Sequence, residues 1–93
     1  MTFDLCNVAS AAFRLDGELE PALELLHEAL ELAEGMEFRL GELRVHQVTG
    51  EVYAAAKRAG DARREYEAAI EIGDAVGLAR FAAFVRERLG ALD

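Results

Sequence analysis

Apolar and polar positions follow a helical period along the whole chain. Apolar residues recur at spacings of three and four, whereas the strict alternation that is typical of a half-exposed strand is absent. Glycines and Asp-Gly or Gly-Asp pairs, which usually end a helix, divide the chain into helix-sized pieces. The dividing points are Asp16-Gly17, Gly35, Gly60-Asp61, Gly77 and Gly90. The pattern predicts an all-α fold of five helices, at about 3–15, 19–34, 37–59, 62–76 and 78–89.

The segment 19–34 has the clearest amphipathic pattern. Pro21 suits a first helical turn, because its missing N–H has no helical partner to lose there. The apolar stripe consists of Leu19, Ala22, Leu23, Leu26, Ala29, Leu30 and Ala33. The opposite face carries His27 and the glutamates Glu20, Glu24, Glu28, Glu31 and Glu34. The segment 78–89 repeats this pattern with a stripe of Leu78, Phe81, Ala82, Val85 and Leu89. Helices that are apolar on one side must pack against neighbours.

The segment 37–59 contains two glycines inside a helical pattern. Gly41 and Gly50 each cost about 1 kcal/mol relative to alanine in a helix interior. Two explanations are open at this point. Either the helix begins near Gly41, or a neighbouring helix passes so close that only glycine fits.

The chain resembles itself when it is shifted by 40 residues. Both copies contain a small residue, then an aromatic residue, then an alanine, a large apolar residue and a second alanine at matching positions. The matched pairs are Ser10 with Gly50, Phe13 with Tyr53, Ala22 with Ala62, Leu26 with Tyr66, Ala29 with Ala69, Leu30 with Ile70 and Leu32 with Ile72. A two-helix unit of this length cannot bury its apolar faces alone, so such units stack.

This spacing resembles that of the tetratricopeptide repeat. The stretches GELRVHQVTGEVY, residues 41–53, and GELEPALELLHEALELA, residues 17–33, carry the resemblance most clearly. It implies a right-handed α-solenoid of antiparallel helix hairpins, with a single domain over 1–93. Repeat one then covers about 3–40, repeat two about 41–80, and a closing helix about 78–90. The sequence departs from the family at its tryptophan position, taken by Cys6 and His46, and at its closing proline, replaced by Glu34 and Asp74.

The resemblance implies a protein or peptide partner that binds in a groove lined by the first helix of each repeat. The groove-facing candidates are Asp4, Asn7, Val8, Ala11 and Arg14 in repeat one, Arg44, Gln47, Val48, Glu51 and Ala55 in repeat two, and Phe84, Glu87 and Arg88 in the closing helix. Of these, we expect Asn7, Arg14, Arg44, Gln47, Glu51, Phe84 and Arg88 to contact the partner. The carboxylate clamp of chaperone-binding members is not matched, since only Asn7 occupies an equivalent place.

Composition narrows the classes of function. The 93 residues include 10 basic and 18 acidic ones, which gives a formal charge of −8 and argues against nucleic-acid binding. No apolar run approaches the length of about 18 residues that spans a bilayer. The first ten residues show no secretory signal, and the single cysteine fits a reducing compartment, so a cytoplasmic location is expected. A bias of nine arginines to one lysine suggests a bacterial source with GC-rich DNA.

Candidate chemistry is sparse, and we expect no enzyme, cofactor, metal or small-molecule substrate. Glu24 and His27 have the i, i+3 spacing of carboxylate-bridged metal sites, but a solvated surface histidine explains them better. Cys6 and His46 occupy equivalent places in the two copies, where inter-repeat packing is a simpler interpretation than a nucleophile and its base.

Self-association is expected, because two and a half repeats bury less surface than a complete array. Leu25, Leu32 and Phe84 lie beside the main apolar stripes, where they either widen the edge of the core or contact another chain, most simply in a twofold dimer. Lys57, Arg58, Arg63 and Arg64 form a basic cluster that suits a helix end or an acidic partner. The alternative function is a ligand-sensing or peptide-sensing segment of a larger bacterial regulator.

Overall fold

A computed structural model describes residues 19–92, and the structural statements below concern these residues. They form four α-helices: α1 (Leu19–Gly35), α2 (Arg39–Ala55), α3 (Ala59–Ala75) and α4 (Ala79–Gly90). No residue of 19–92 belongs to a β-strand, so the predicted all-α class is confirmed. The helix expected at 3–15 lies outside the described residues. The other four expected helices are present, with their ends shifted by up to four residues.

One type of turn joins all four helices. Glu37, Lys57 and Gly77 have positive φ angles of 54°, 63° and 79°, which place them in the left-handed region. The next residue then donates its N–H back into the preceding helix, as Arg58 does to the carbonyl of Tyr53 at 2.9 Å. The equivalent hydrogen bonds at the other two turns are 2.8 Å long. This pattern is the Schellman motif, and it recurs at 20-residue intervals.

The second turn lies earlier than the sequence predicted. Gly60-Asp61 was expected to separate two helices, but α2 ends at Ala55 and Gly60 is the second residue of α3. The reason is that Lys57, and no glycine, takes the left-handed position of this turn. Gly77 does occupy the equivalent position of the third turn, as expected of a glycine at a helix end.

Each helix packs against the next one in the chain. Because the connections are only a few residues long, neighbouring helices run antiparallel. The core between α1 and α2 consists of Ala22, Leu26, Ala29, Val45, Val48 and Val52. A second cluster joins α2, α3 and α4 and consists of Leu43, Ala62, Tyr66, Ala69, Ile72 and Val85. The stripe predicted for α1 is confirmed, since all its members are buried or half-buried while its five glutamates are exposed.

The glycines of α2 mark close contacts. A Cβ atom at Gly50 would lie 2.6 Å from Cε1 of Tyr66, and one at Gly41 would lie 2.6 Å from Cδ2 of Phe38. α2 begins at Arg39, so Gly41 lies in its first turn, in agreement with a helix start near Gly41. Close approach of a neighbouring helix explains Gly50, which meets Tyr66 of α3, whereas Phe38 directly precedes α2 itself.

None of the four helices combines the length and the apolar character that crossing a bilayer requires.

Candidate functional site

A groove runs between α2 and α4, the two helices that the 40-residue shift makes equivalent. Its volume is about 320 Å³. The lining residues are Arg44, Gln47, Arg80, Phe81 and Phe84. An α-helix returns to the same side after three or four residues, so each helix presents one continuous strip to the groove. Three of the lining residues, Arg44, Gln47 and Phe84, were expected from the sequence to face a partner.

A chain of polar contacts forms the floor of the groove. Arg44 Nη1 donates to Gln47 Oε1 at 3.2 Å, and Gln47 Nε2 donates to Glu51 Oε2 at 3.1 Å. Glu51 Oε2 then lies 3.9 Å from Arg88 Nη2, which connects α2 to α4. The amide of Gln47 therefore accepts a hydrogen bond from Arg44 and donates one to Glu51. This network fixes the positions of four of the predicted groove residues relative to each other.

Two predicted groove positions on α2 face inward instead. Gln47 is only 3% exposed, so it contributes to the floor of the groove and offers little surface to a partner. Val48 is buried in the cluster between α1 and α2 and does not face the groove, so that prediction was wrong. Ala55 and Glu87 are exposed. The candidates of repeat one, Asp4, Asn7, Val8, Ala11 and Arg14, lie outside the described residues.

Two phenylalanine rings of α4 form the apolar wall of the groove. Phe84 is 42% exposed, and the guanidinium carbon of Arg88 lies 5.3 Å from the centre of its ring. Phe81 is 36% exposed and lines the groove, so its assignment to the buried stripe of this helix was wrong. Ala82 and Val85, by contrast, are buried as predicted.

Arg80 and Phe81 were missed as groove residues. Both lie about one helical turn before Phe84, at i−4 and i−3, and therefore on the same side of α4. This spacing was readable in the sequence. Phe81 was instead assigned to the apolar stripe of this helix, because its spacings to Leu78 and Val85 are three and four residues.

The groove is electropositive, although the chain as a whole is acidic. Arg44 bonds only to the neutral amide of Gln47, and Arg80 joins no hydrogen bond or ion pair among the described residues. Glu51 is the carboxylate of the floor, and it is shared with Arg88. Of the five lining residues, two are arginines and none is acidic, in a chain of formal charge −8.

The basic cluster at the second turn is engaged locally. Arg58 Nη2 lies 2.8 Å from Asp61 Oδ2, and Arg64 pairs with the other oxygen of the same carboxylate. The guanidinium carbon of Arg58 also lies 5.4 Å from the ring centre of Tyr53. Asp61 thus compensates part of this charge, which supports a role in the local structure of the turn.

Both histidines have carboxylate partners of their own. His46 Nδ1 lies 2.8 Å from Glu65 Oε1, a contact between α2 and α3. His27 Nε2 lies 3.1 Å from Glu31 Oε1 on the exposed face of α1, so its partner is Glu31 and not Glu24. The interpretation of His27 as a surface histidine is confirmed. Cys6 lies outside the described residues, and within 19–92 no three His, Cys, Asp or Glu side chains form a group suited to a metal ion.

The candidates for self-association differ in exposure. Leu25 is half-buried and packs on the cluster between α1 and α2, so it is a core-edge residue. Leu32 is 45% exposed, and Met36, directly after α1, is 60% exposed. Among the described residues, the other large apolar side chains open to contact with another chain are Leu40, Val76, Phe81 and Phe84.

No model of a known protein family matches the chain, and comparisons with curated proteins and with solved structures give no match either.

Proposed function

We propose that the chain is a non-catalytic interaction module that binds a peptide or protein segment in the groove between α2 and α4. The observation that carries this proposal is the pair of half-exposed rings, Phe81 and Phe84, beside the guanidinium groups of Arg44 and Arg80. Aromatic and arginine side chains are enriched at the energetic centres of protein interfaces. The rings would provide apolar contact with a bound peptide, and the guanidinium groups would donate charge-assisted hydrogen bonds to it.

The architecture supports the same function. We propose that the helices form two-helix units of the tetratricopeptide type, with α2 and α4 as the first helices of consecutive units and α1 and α3 as the second ones. The 20-residue recurrence of the turn and the sequential packing of the helices support this arrangement. A groove between first helices is where the resemblance places the partner of such a module.

Peptide selection tests the proposed function. The full chain is immobilised and used to enrich peptides from a random library, and the affinity of each selected peptide is measured for wild type and for Phe84→Ala. Truncation of a central aromatic group costs about 2 kcal/mol or more, so we expect affinity to fall by at least about tenfold.

A matched control uses an exposed apolar residue outside the groove. Val76→Ala removes a side chain that is 42% exposed, as Phe84 is, at the end of α3 and should leave peptide affinity unchanged. Circular dichroism establishes that both variants are folded. The proposal fails if no peptide is enriched, or if the selected peptides bind wild type and Phe84→Ala equally.

A further inference from the structure

We propose that the groove binds the α1 helix of a second copy of this chain. This inference rests on the proposed function, because it names the occupant of the same groove. The surface of α1 that would enter the groove is a row of exposed residues spaced four apart. The row runs along α1 and ends at the residue directly after the helix. We call it the α1 ridge, and it consists of Glu20, Glu24, Glu28, Leu32 and Met36.

The α1 ridge has two chemically different halves. Its first three positions are glutamates and its last two are the exposed apolar side chains of Leu32 and Met36. Residues at i and i+4 lie on one side of a helix, and Met36 continues this row because its N–H donates to the carbonyl of Leu32 at 3.1 Å. The ridge therefore changes from acidic to apolar between Glu28 and Leu32.

The charges of the α1 ridge are not compensated within the described part of the chain. No lysine or arginine occurs between residues 19 and 35, and Glu20, Glu24 and Glu28 pair with no cation in the region that the structure describes. Residues 1–40 contain nine acidic and two basic residues, a balance of −7, whereas 41–93 contain nine and eight, a balance of −1. The acidic surplus lies in the segment that includes the ridge.

Charged and apolar side chains follow each other in the groove in the same order as in the α1 ridge. Arg80 and Phe84 are four residues apart on α4, and so are Glu28 and Leu32 on α1. Both pairs therefore step from a charged to an apolar group over about 6 Å of helix. With Glu28 at Arg80, Leu32 meets Phe84 within the groove. Ridge-into-groove contact is the usual way in which two helical surfaces pack.

The association is head-to-tail. The α1 ridge and the groove are different surfaces of the molecule, so one contact leaves an unused groove on one copy and an unused ridge on the other. Heterologous contacts of this kind close into a ring or continue as an open chain. This arrangement differs from the twofold dimer expected from the sequence, because its complementary charges do not lie on one shared patch.

Sedimentation of the 93-residue chain is the first test. We expect the average mass to rise above 10.2 kDa as the concentration increases from about 1 µM to about 1 mM. Raising the ionic strength from about 0.01 M to about 1 M shortens the Debye length from about 30 Å to about 3 Å, and should weaken the association. A chain that stays at 10.2 kDa throughout overturns the inference.

Complementary charge reversals identify the contact. The double variant Arg44→Glu with Arg80→Glu changes the groove, and Glu24→Arg with Glu28→Arg changes the ridge. Each variant alone brings like charges together and should associate at least tenfold more weakly than wild type. An equimolar mixture pairs a reversed ridge with a reversed groove and should recover the association. Failure of the mixture to associate overturns the inference.

A control variant distinguishes the effect of charge in the groove from the effect of the net charge of the chain. Lys57→Glu with Arg64→Glu makes the same change in net charge at the second turn and should leave the association unchanged. If the wild type is monomeric but selected peptides bind the groove in a Phe84-dependent way, the occupant is wrong while the proposed function holds. If the copies associate but Arg44→Glu with Arg80→Glu has no effect, the inference is also wrong.

Discussion

The ring of Tyr66 on α3 lies directly against the backbone of Gly50 on α2. A Cβ atom added at residue 50 would be 2.6 Å from Cε1 of Tyr66 and 2.7 Å from Cδ1. Tyr66 is only 2% exposed and is surrounded by Ala62, Ala69 and Ile72 of its cluster, so its ring has little room to move. The absence of a side chain at residue 50 is therefore what allows the two helices to meet at this point.

Gly50→Ala should destabilise the chain by about 1–3 kcal/mol, the range typical of overpacking a filled core. The higher helix propensity of alanine, worth about 1 kcal/mol, opposes this loss but does not remove the steric conflict. Chemical denaturation followed by circular dichroism measures the change in the free energy of unfolding.

Gly60→Ala is the matched control for Gly50→Ala. Gly60 is also helical, but nothing lies within 4 Å of the Cβ position that alanine would add. Here only the propensity term acts, and we expect a gain of up to about 1 kcal/mol. If both alanine variants are stabilising, the contact between Gly50 and Tyr66 does not constrain the packing.

Lys57→Gly should stabilise the chain by roughly 0.5–1 kcal/mol. Lys57 has a φ of 63°, a conformation that costs an ordinary residue roughly 1–2 kcal/mol but not glycine. The greater freedom of glycine in the unfolded state cancels part of this gain. Thermal and chemical denaturation of wild type and variant should both show the increase.

At the third turn the opposite substitution is possible, since a glycine already occupies the left-handed position there. Gly77 has a φ of 79° and open space around its Cβ position, so only backbone strain distinguishes alanine from glycine there. Gly77→Ala should destabilise the chain by about 1 kcal/mol. A neutral effect at both turns would contradict the left-handed geometry.

Stability should fall at alkaline pH through the ionisation of Tyr66. Burial, reinforced by the charge of Glu51 and opposed by that of Arg88, raises the pKa of the Tyr66 hydroxyl above its usual value of about 10. Below pH 10 the phenol is neutral in both states and stability is complete. Above it, the unfolded chain loses the proton first, so the free energy of unfolding decreases until the pH passes the raised pKa.

Tyr66→Phe tests this dependence. The variant lacks the ionising group and should lose less stability than wild type between neutral and strongly alkaline pH, as followed by denaturation at each pH. Tyr53→Phe, at a half-buried position, controls for the removal of a tyrosine hydroxyl elsewhere. Equal alkaline slopes for wild type and Tyr66→Phe would show that Tyr66 does not cause the loss.

Ala29→Leu should destabilise the chain by about 1–3 kcal/mol, because Ala29 is fully buried where α1 packs on α2. Ala83→Leu makes the same change on an exposed position of α4 and should alter stability by no more than about 0.5 kcal/mol. Denaturation midpoints of the two variants measure the difference. Similar losses in both would contradict the tight packing assigned to Ala29.

α1 and α4 were predictable from sequence because each has an apolar stripe, whereas the buried residues of α2 lie on several sides of the helix. The second turn was not predictable, because its left-handed residue is Lys57 and Ala55 stands where Gly35 marks the end of α1. Glycine marks such a turn in a sequence, whereas lysine adopts the conformation only because the hydrogen bonds of the surrounding turn impose it. The nearest glycine, Gly60, therefore gave a helix boundary in the wrong place.

The groove was predictable in part. The 40-residue repeat made α2 and α4 equivalent, which led to Arg44, Gln47, Glu51, Phe84 and Arg88. How deeply each of them is buried depends on the neighbouring helices and is not a property of the repeat. Burial decides that Gln47 belongs to the floor and that Phe81 is open to a partner, and periodicity within one helix does not contain that information.

The turns recur at 20-residue intervals, so one helix with its following turn forms a structural unit of 20 residues. Insertion of one 20-residue segment would keep every hydrogen bond of the turns, but it would exchange the roles of all later helices between groove side and outer side. Insertion of two such segments would preserve the roles and lengthen the groove. A lineage of such chains should therefore vary in length by multiples of 40 residues more often than by 20.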